Sequence, residues 1–335
     1  MIYLDNAATT FPKPVIVREA VAKSFSFSAN PGRAGHRMSI KSAETLYECR
    51  NNICELTGFE RPENVILLPS CTFAINTVIK GLLKKGDHVV ISSLEHNSVA
   101  RPVQQLADKG IITYSIAEVF ERDDDKTLAS FRSAMCDKTK LVVCTHASNV
   151  FGVKLPIARI SALCRIYSVP LCIDAAQTAG ISPIDLQEIK ADYICLPGHK
   201  GLYGPMGTGV LIINSENIPD SLIEGGTGSG SSELKQPDML PDKFESGTLN
   251  LQGFAGLSKG IEFVNKKGIN AIQKHEMMLI NKLYSEFRNM DDVILYTEVP
   301  DTENYVPLLS FNIKNSEPEQ VAAFLDKYYG IAVRA

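Results

Sequence analysis

The sequence has 335 residues, of which 44% are hydrophobic and 21% charged, and 34 basic against 38 acidic side chains give a net charge of −4. This balance provides no basic patch for nucleic acid or an anionic membrane. No stretch approaches the ~18 consecutive apolar residues of a membrane span, and the N-terminus lacks the features of a signal peptide, so we expect a cytoplasmic protein.

Seven short apolar runs alternate with helix-like segments through the first two thirds of the chain. This alternation predicts a doubly wound, mainly parallel seven-stranded sheet with helices on both faces. After residue 250 the pattern changes to longer helices, at 253–266 and 271–290, then a strand in VPLLSFNI and a helix at 317–329. The predicted sheet strands are NVILLP, DHVVIS, GIITYSI, KLVVCTHA, VPLCIDAA, ADYICLP and GVLIIN.

Three segments without strand or helix periodicity are predicted loops. LDNAATT, at 4–10, indicates a surface turn that leads into a helix from Val15. SANPGRAGHRMS, at 28–39, is rich in glycine and basic residues, which suits either a solvated loop or the wall of an anionic pocket. The charge run ERDDDK, at 121–126, predicts a solvated loop.

The segment LLPSCTFAINTVIKGL, at 67–82, predicts a strand, a turn and an amphipathic helix. A turn at 70–72 would expose the first amides of that helix, with Cys71 and the Thr72 hydroxyl beside them. Such a helix start can bind a phosphate, and a plain N-cap is the alternative interpretation.

Polar side chains follow four predicted strands, where a parallel sheet opens onto its ligand crevice. A carboxylate and a lysine delivered there suit pyridoxal 5'-phosphate, because the amine can form a Schiff base with the aldehyde and the carboxylate keeps the pyridinium nitrogen protonated. Either residue alone is more typical of a helix cap or a surface position. Glycines 198 and 201 and the run GPMGTG favour close approach of a ring or phosphate. The strand-end residues are His96, Asn149, Asp174, Gln177, His199 and Lys200.

The motifs YLDNAATT at 3–10, EH at 95–96, the segment 171–209 and GIAVRA at 330–335 together resemble the class V aminotransferase group of fold-type I pyridoxal phosphate enzymes. Within it they resemble the cysteine desulfurases and selenocysteine lyases. The resemblance implies a large cofactor-binding domain at 15–250 and a small α+β domain built from 1–14 and 251–335. The chain departs from the usual family pattern at Ser70, Phe73 and Pro197, which implies a phosphate cup of different shape.

The resemblance also implies roles for the strand-end residues. Lys200 would hold the cofactor and take the substrate α-proton, while His96 would stack on the ring and share in acid–base steps. Asp174 would pair with the ring nitrogen, and Asn149 and Gln177 would donate to the phenolic oxygen, or Asn149 to the substrate carboxylate.

The phosphate and substrate ends of the site follow from the same resemblance. Cys71, Thr72 and His199 would lie at the phosphate, together with Thr248 from the partner subunit of a homodimer whose active sites are shared. The substrate side would include Ala7, Arg33, His36, Asn149 and Arg334.

Desulfuration of L-cysteine to L-alanine needs a thiolate that takes the sulfur as a persulfide. In similar enzymes this cysteine lies a few residues beyond an arginine in a motif like RAGxHC. The present chain ends at Ala335, before that position, and none of its eight cysteines occupies it, so we expect the C-terminal part of the small domain to be missing.

The eight cysteines include no CxxC pair, and the spacing of Cys49 and Cys54 does not suggest a metal site, so buried thiols in a reducing compartment are expected. Besides a desulfurase that passes sulfur to an acceptor protein, two alternatives stay open. One is another pyridoxal phosphate reaction, namely selenocysteine lysis, β-elimination, epimerisation or transamination. The other is a catalytically silent scaffold.

Overall fold

The structure is a computed structural model that describes residues 1–31, 35–229 and 232–335. In this part of the chain the strands are β1 (Ile2–Tyr3), β2 (Val65–Leu68), β3 (His88–Ser92), β4 (Thr113–Ala117), β5 (Thr139–Thr145), β6 (Leu171–Asp174), β7 (Tyr193–Pro197), β8 (Gly209–Ile213), β9 (Val293–Leu295), β10 (Phe311–Ile313) and β11 (Ile331–Ala332). The helices are α1 (Val15–Ser24), α2 (Arg37–Thr57), α3 (Cys71–Leu82), α4 (Asn97–Asp108), α5 (Asp124–Ala134), α6 (Ile157–Ile166), α7 (Leu186–Ile189), α8 (Leu251–Lys267), α9 (Ile269–Phe287) and α10 (Pro318–Tyr329).

A seven-stranded sheet in the order β2-β8-β7-β6-β5-β3-β4 lies at the centre of the fold. The pairs β7–β6, β6–β5, β5–β3 and β3–β4 are parallel, and β8 runs antiparallel to both of its neighbours. Each of the seven predicted runs forms one strand of this sheet. The prediction of a mainly parallel seven-stranded sheet is therefore confirmed.

Both faces of most of the sheet are covered, which explains why six of its strands read as mainly apolar runs, whereas the edge strand β4 is buried only at Ala117. Val65 and Leu67 of β2 point into one hydrophobic cluster, whereas Ile66 and Leu68 point into the other. Helices α3 and α4 fill the second cluster, and α2, α5, α6 and α8 fill the first. Strand residues alternate between faces, so each strand contributes to two cores at once.

The start of α3 is set by a side-chain cap. Ser70 is the N-cap, and its hydroxyl accepts a hydrogen bond from the Phe73 amide at 3.1 Å. The helix therefore begins at Cys71, directly after the turn, within the segment where the sequence predicts the turn. Because Ser70 uses one of the first free amides, fewer amides at this helix start stay available to a ligand.

The charge run at 121–126 is exposed at every residue except Asp123, as its composition predicts, but residues 124–126 form the first turn of α5 and the run also makes long-range contacts. Arg122 forms ion pairs with Glu298 at 2.9 Å and with Asp301 at 2.7 Å, in the segment that follows β9. The Glu121 carboxylate accepts a hydrogen bond from the Tyr305 hydroxyl. The sequence did not indicate these contacts, because charge density along the chain does not show that oppositely charged residues lie 170 positions or more further on.

The two ends of the described chain come together. Strand β1 pairs in parallel with β11, so the N-terminal segment joins the last strand. The first helix after residue 250, α8, shares the large core through Leu251, Phe254 and Leu257. The division into domains at 15–250 and at 1–14 with 251–335 stays a prediction.

Within the described ranges, no helix combines the length and the apolar character that crossing a membrane requires. The same ranges contain no group of three or more His, Cys, Asp or Glu side chains arranged to hold a metal ion.

Candidate active site

Asp174 and Lys200 follow neighbouring parallel strands at the same edge of the sheet. Asp174 ends β6, is only 2% exposed and lies in register with Cys195 of β7; Lys200 comes three residues after β7. Burial raises the pKa of Asp174, while the nearby charges of Lys200 and His96 act to lower it. Burial lowers the pKa of Lys200, and Asp174 acts to raise it. The structure therefore brings the predicted carboxylate and lysine into one buried environment.

Two donors orient the Asp174 carboxylate. Its Oδ1 accepts a hydrogen bond from the Ala176 amide at 2.9 Å and from the Cys71 thiol at 3.6 Å. Burial first, and then the neighbouring Asp174 charge, raise the pKa of Cys71 well above its ordinary value. Cys71 thus joins the site at the Asp174 carboxylate, whereas the next residue, Thr72, is exposed on the first turn of α3.

The predicted stacking residue, His96, is the N-cap of α4. Its Nδ1 accepts a hydrogen bond from the Ser98 amide at 3.0 Å and lies 2.8 Å from the Ser98 hydroxyl. An Nδ1 that accepts from a backbone amide leaves the proton of a neutral ring on Nε2. The His96 ring is exposed, and in its protonated form it would lower the pKa of Asp174, so it lies near the mouth of the same site.

The N-terminal motif packs against the strand ends and is not a free surface turn. The Gln177 side chain donates a hydrogen bond to the Ala7 carbonyl at 3.2 Å. Thr9 and Thr10 both contact the His199 carbonyl, through the Thr9 hydroxyl at 3.0 Å and the Thr10 amide at 3.2 Å. The predicted residues Ala7, Gln177 and His199 are therefore brought together around Asp174 and Lys200.

The His199 imidazole is neutral in this environment. Burial, with the positive charges of Lys200 and Lys13, lowers the pKa of His199 from 6.5 to about 4. Its Nδ1 is buried and has no hydrogen-bond partner among residues 1–31, 35–229 and 232–335. A buried polar atom without a partner is costly, so this nitrogen has spare capacity for a ligand.

Arg334 forms a two-pronged ion pair with Asp5 of the N-terminal motif. Its Nε and Nη2 lie 3.0 and 3.1 Å from the two carboxylate oxygens. Arg334 also acts to lower the pKa of Lys200, which indicates that its charge reaches the site. The guanidinium retains further N–H groups for a second carboxylate.

Among the described residues, three other predicted site residues make no hydrogen bond or ion pair to this cluster. His36 is exposed and caps α2, where its Nδ1 accepts from the Ser39 amide at 3.2 Å. Asn149 is exposed in a turn after β5, and Thr248 is exposed in the irregular segment before α8. Arg33 lies outside the described residues. Their site roles stay predictions.

Glu95 was missed by sequence reasoning. Its Oε1 accepts hydrogen bonds from the Ser92 hydroxyl and from the Thr145 amide at 2.8 Å, and Thr145 pairs in register with Asp174. Its Oε2 is buried without a partner in the described part of the chain, and burial raises the pKa of Glu95 to about 8. This carboxyl group therefore connects the turn that carries His96 to the strand beside Asp174. The sequence signal that could have identified Glu95 was its position directly before His96 in the EH pair.

A buried ion pair holds the loop that contains Thr248. Arg50 of α2 donates to Glu245 at 2.7 Å, and Glu245 also accepts from the Leu67 amide at 2.7 Å. The Arg50 Nε donates to the Val65 carbonyl at 3.0 Å. The ESGTLN motif is thereby attached to β2 through a pair of charges that no local sequence pattern indicates.

The residues present fit pyridoxal 5'-phosphate. Lys200 has an amine whose lowered pKa favours the neutral, nucleophilic form, and the buried Asp174 carboxyl group is suited to a ring nitrogen. The unpartnered Nδ1 of His199 and the helix start at Cys71 can donate to a phosphate.

Comparison with known proteins gives one consistent result. The family model described as aminotransferase class-V matches residues 2–335. A probable cysteine desulfurase of Methanothermobacter thermautotrophicus is 34% identical over 342 residues, which cover 100% of this chain and 83% of the relative. A probable cysteine desulfurase of Pyrococcus abyssi is 32% identical over 98% of this chain and 82% of its own length. The solved apo structure of the cysteine desulfurase from Thermococcus onnurineus NA1 superposes with a TM-score of 0.90 at 29% identity, over 99% of this chain and 84% of that one.

Proposed function

This chain belongs to the aminotransferase class-V family, and from that premise we propose that it is a pyridoxal 5'-phosphate-dependent cysteine desulfurase. One observation carries the proposal. A buried aspartate and a lysine of lowered pKa follow adjacent parallel strands, as a pyridine nitrogen and an aldehyde on one ring would require. The named relatives, cysteine desulfurases that match nearly the whole chain, support L-cysteine as the substrate.

Each residue of the site then has a defined task. Bound pyridoxal phosphate would supply an electron sink that weakens the bonds at the substrate Cα. Lys200 Nζ would hold the aldehyde carbon and move the proton at the substrate Cα, while Asp174 would keep the ring nitrogen protonated. His96 would cover the ring, His199 would contact the phosphate, and Arg334 would bind the substrate carboxylate.

The net reaction transfers one sulfur atom. The Cβ–S bond of L-cysteine breaks, Cβ gains a proton to give L-alanine, and the sulfur joins an acceptor thiol as a persulfide. The Cys71 thiol donates a hydrogen bond to Asp174, and its pKa is raised, which disfavours the reactive thiolate form. Cys136, which is exposed, precedes β5 and so lies at the amino ends of the parallel strands, whereas Lys200 lies at their carboxyl ends. We propose that the acceptor is a thiol other than these eight, such as that of a sulfur-acceptor protein.

We further propose that the protein is a homodimer whose subunits share their active sites. We also propose that it is located in the cytoplasm. Thr248 is exposed on a loop that the Arg50–Glu245 pair attaches to the sheet, which suits a contact to the phosphate of a partner subunit. The eight cysteines are free thiols, which fits a reducing compartment.

The proposal is tested by combining cofactor chemistry with product analysis. The purified protein is incubated with pyridoxal 5'-phosphate, reduced with borohydride and digested, and the mass gain of one cofactor is expected on the peptide that carries Lys200. In parallel, L-cysteine and a dithiol are supplied, and alanine and sulfide are expected in equal amounts. Lys200→Ala should remove both signals, whereas the exposed-site variant Lys23→Ala should retain them.

The alternatives give different products. Pyruvate with sulfide would indicate β-elimination, and D-cysteine would indicate epimerisation. Transfer of the substrate amino group to a keto acid would indicate transamination. Faster alanine formation from L-selenocysteine than from L-cysteine would indicate a selenocysteine lyase. Failure of the protein to bind the cofactor at all would overturn the enzyme proposal and leave the scaffold.

A further inference from the structure

The N-terminal segment donates several hydrogen bonds to two consecutive backbone carbonyls, those of His199 and Lys200. The His199 carbonyl accepts from the Thr9 hydroxyl at 3.0 Å, the Thr10 amide at 3.2 Å and Lys13 Nζ at 2.7 Å. The Lys200 carbonyl accepts from the Thr10 hydroxyl at 3.1 Å. Residues some 190 positions apart are thus joined at the peptide that carries the proposed cofactor lysine.

Lys13 is the charged member of this set. Besides the His199 carbonyl, its ammonium group contacts the Thr10 hydroxyl at 2.6 Å, and the described part of the chain offers it no carboxylate partner. Burial lowers the pKa of Lys13 to about 8. A half-buried ammonium without a counter-ion is costly unless its hydrogen bonds are strong, and a charged donor to a carbonyl makes such a bond.

The same ammonium acts on the adjacent imidazole. Its positive charge is one of the causes that lower the pKa of His199 and keep that ring neutral. Lys13 therefore acts on His199 in two ways, through the backbone carbonyl that belongs to the peptide bond to Lys200 and through its charge on the imidazole.

The backbone around Lys200 makes its position sensitive to this contact. The Lys200 carbonyl accepts from the Tyr203 amide at 2.8 Å, and the Gly198 carbonyl accepts from the Gly204 amide at 2.8 Å. These two bonds hold residues 198–204 in a tight turn. A shift of the His199 carbonyl would therefore rotate the Cα–Cβ bond of Lys200, from which its side chain extends.

We propose that Lys13 is a positioning residue for Lys200: its bond to the His199 carbonyl fixes the peptide from which the lysine side chain extends towards Asp174. The importance of this position for catalysis rests on the proposed function, but the positioning itself does not.

The test uses the full chain with three substitutions. Lys13→Met removes the ammonium at similar length, Lys13→Arg retains a charged donor, and Lys23→Met is the control for loss of an exposed lysine in the neighbouring helix α1. Hydrogen exchange of the peptide spanning 198–208 is followed by mass spectrometry, with and without pyridoxal 5'-phosphate. In Lys13→Met we expect exchange of this peptide to accelerate by roughly 10-fold, the effect of one lost charge-assisted hydrogen bond, with sheet peptides unchanged.

A second readout reports on the Lys200 amine itself. In the cofactor-free protein, trace acylation of Lys200 across a pH series gives the apparent pKa of its amine. Burial is the main cause that lowers this pKa, so a loosened peptide should admit water and move the pKa of Lys200 upwards in Lys13→Met. Lys13→Arg should restore the native titration.

Equal exchange and equal titration in Lys13→Met and Lys23→Met would overturn the positioning role. Neither readout needs turnover of L-cysteine, so a failure here is distinguishable from a failure of the proposed function. If the protein shows no desulfurase activity but the Lys13→Met effects are present, the positioning role stands.

Discussion

The Cys71 thiol donates a hydrogen bond to Asp174 Oδ1 across 3.6 Å, and both side chains are buried. Cys71 begins α3 and Asp174 ends β6, so a helix start and a strand end meet at this carboxylate. A thiol is a weak donor, which leaves room to strengthen or remove this contact by substitution.

Cys71→Ala should weaken binding of pyridoxal 5'-phosphate by about 2- to 5-fold, because one weak donor that favours the ionised Asp174 is lost. Cys71→Ser supplies a stronger hydroxyl donor and should bind the cofactor at least as tightly as the native protein. The dissociation constant is measured by spectroscopic titration of the cofactor-free protein. Equal constants for Ala and Ser variants would show that the thiol does not influence Asp174.

Arg50→Met should lower the free energy of unfolding by about 3–5 kcal/mol, since it leaves the buried Glu245 carboxylate without its charged partner. The double substitution Arg50→Met with Glu245→Gln removes both charges but retains an acceptor for the Leu67 amide, so it should recover much of that loss. Urea unfolding followed by circular dichroism gives the energies. The exposed pair Lys84–Asp220 is the control, and Lys84→Met should cost less than about 1 kcal/mol.

Glu95 should make the protein less stable as the pH rises. The folded state holds the Glu95 proton until about pH 8, whereas the unfolded chain releases it above pH 4.5. The contribution of Glu95 to the free energy of unfolding is therefore complete below pH 4.5 and is lost as the pH rises towards 8. Between pH 5 and pH 8 this loss amounts to about 3 kcal/mol. Glu95→Gln has no such proton, so urea unfolding should show a correspondingly flatter pH dependence, while the exposed-site control Glu118→Gln should follow the native protein. An unchanged slope in Glu95→Gln would contradict this assignment.

Shared active sites predict complementation between two impaired variants. Thr248→Ala should weaken cofactor binding in the active site of the partner subunit. Lys200→Ala should abolish turnover in the active site of the subunit that carries it. If Thr248 reaches across a dimer, co-expressed subunits carrying one substitution each form a mixed dimer in which one site retains both native residues. Tagged purification of that mixed dimer should then show activity well above that of either homodimer, up to about half the native activity per dimer. Activity no higher than that of the Thr248→Ala homodimer would place Thr248 at the site of its own chain.

The sequence by itself determined the sheet and the placement of Asp174 and Lys200 at one edge of it. Strands buried on both faces are apolar along most of their length, so local composition was sufficient to locate β2, β3, β5, β6, β7 and β8, whereas the largely unburied edge strand β4 was located from its own run GIITYSI. Parallel strands bring their carboxyl ends to one edge, which is why the order of strands and polar residues along the chain was sufficient to place Asp174 and Lys200 together.

Only the tertiary structure decided which distant segments meet at that edge. Lys13 reaches the His199 carbonyl, and Arg122 pairs with Glu298, although neither contact leaves a periodic signal in the sequence. Loop paths bring such residues together, and a charge is stabilised by whatever donor or counter-ion the fold places beside it. The pKa of Glu95 likewise depends on burial between β3 and β5, because desolvation arises from packing and not from the residue's neighbours in sequence.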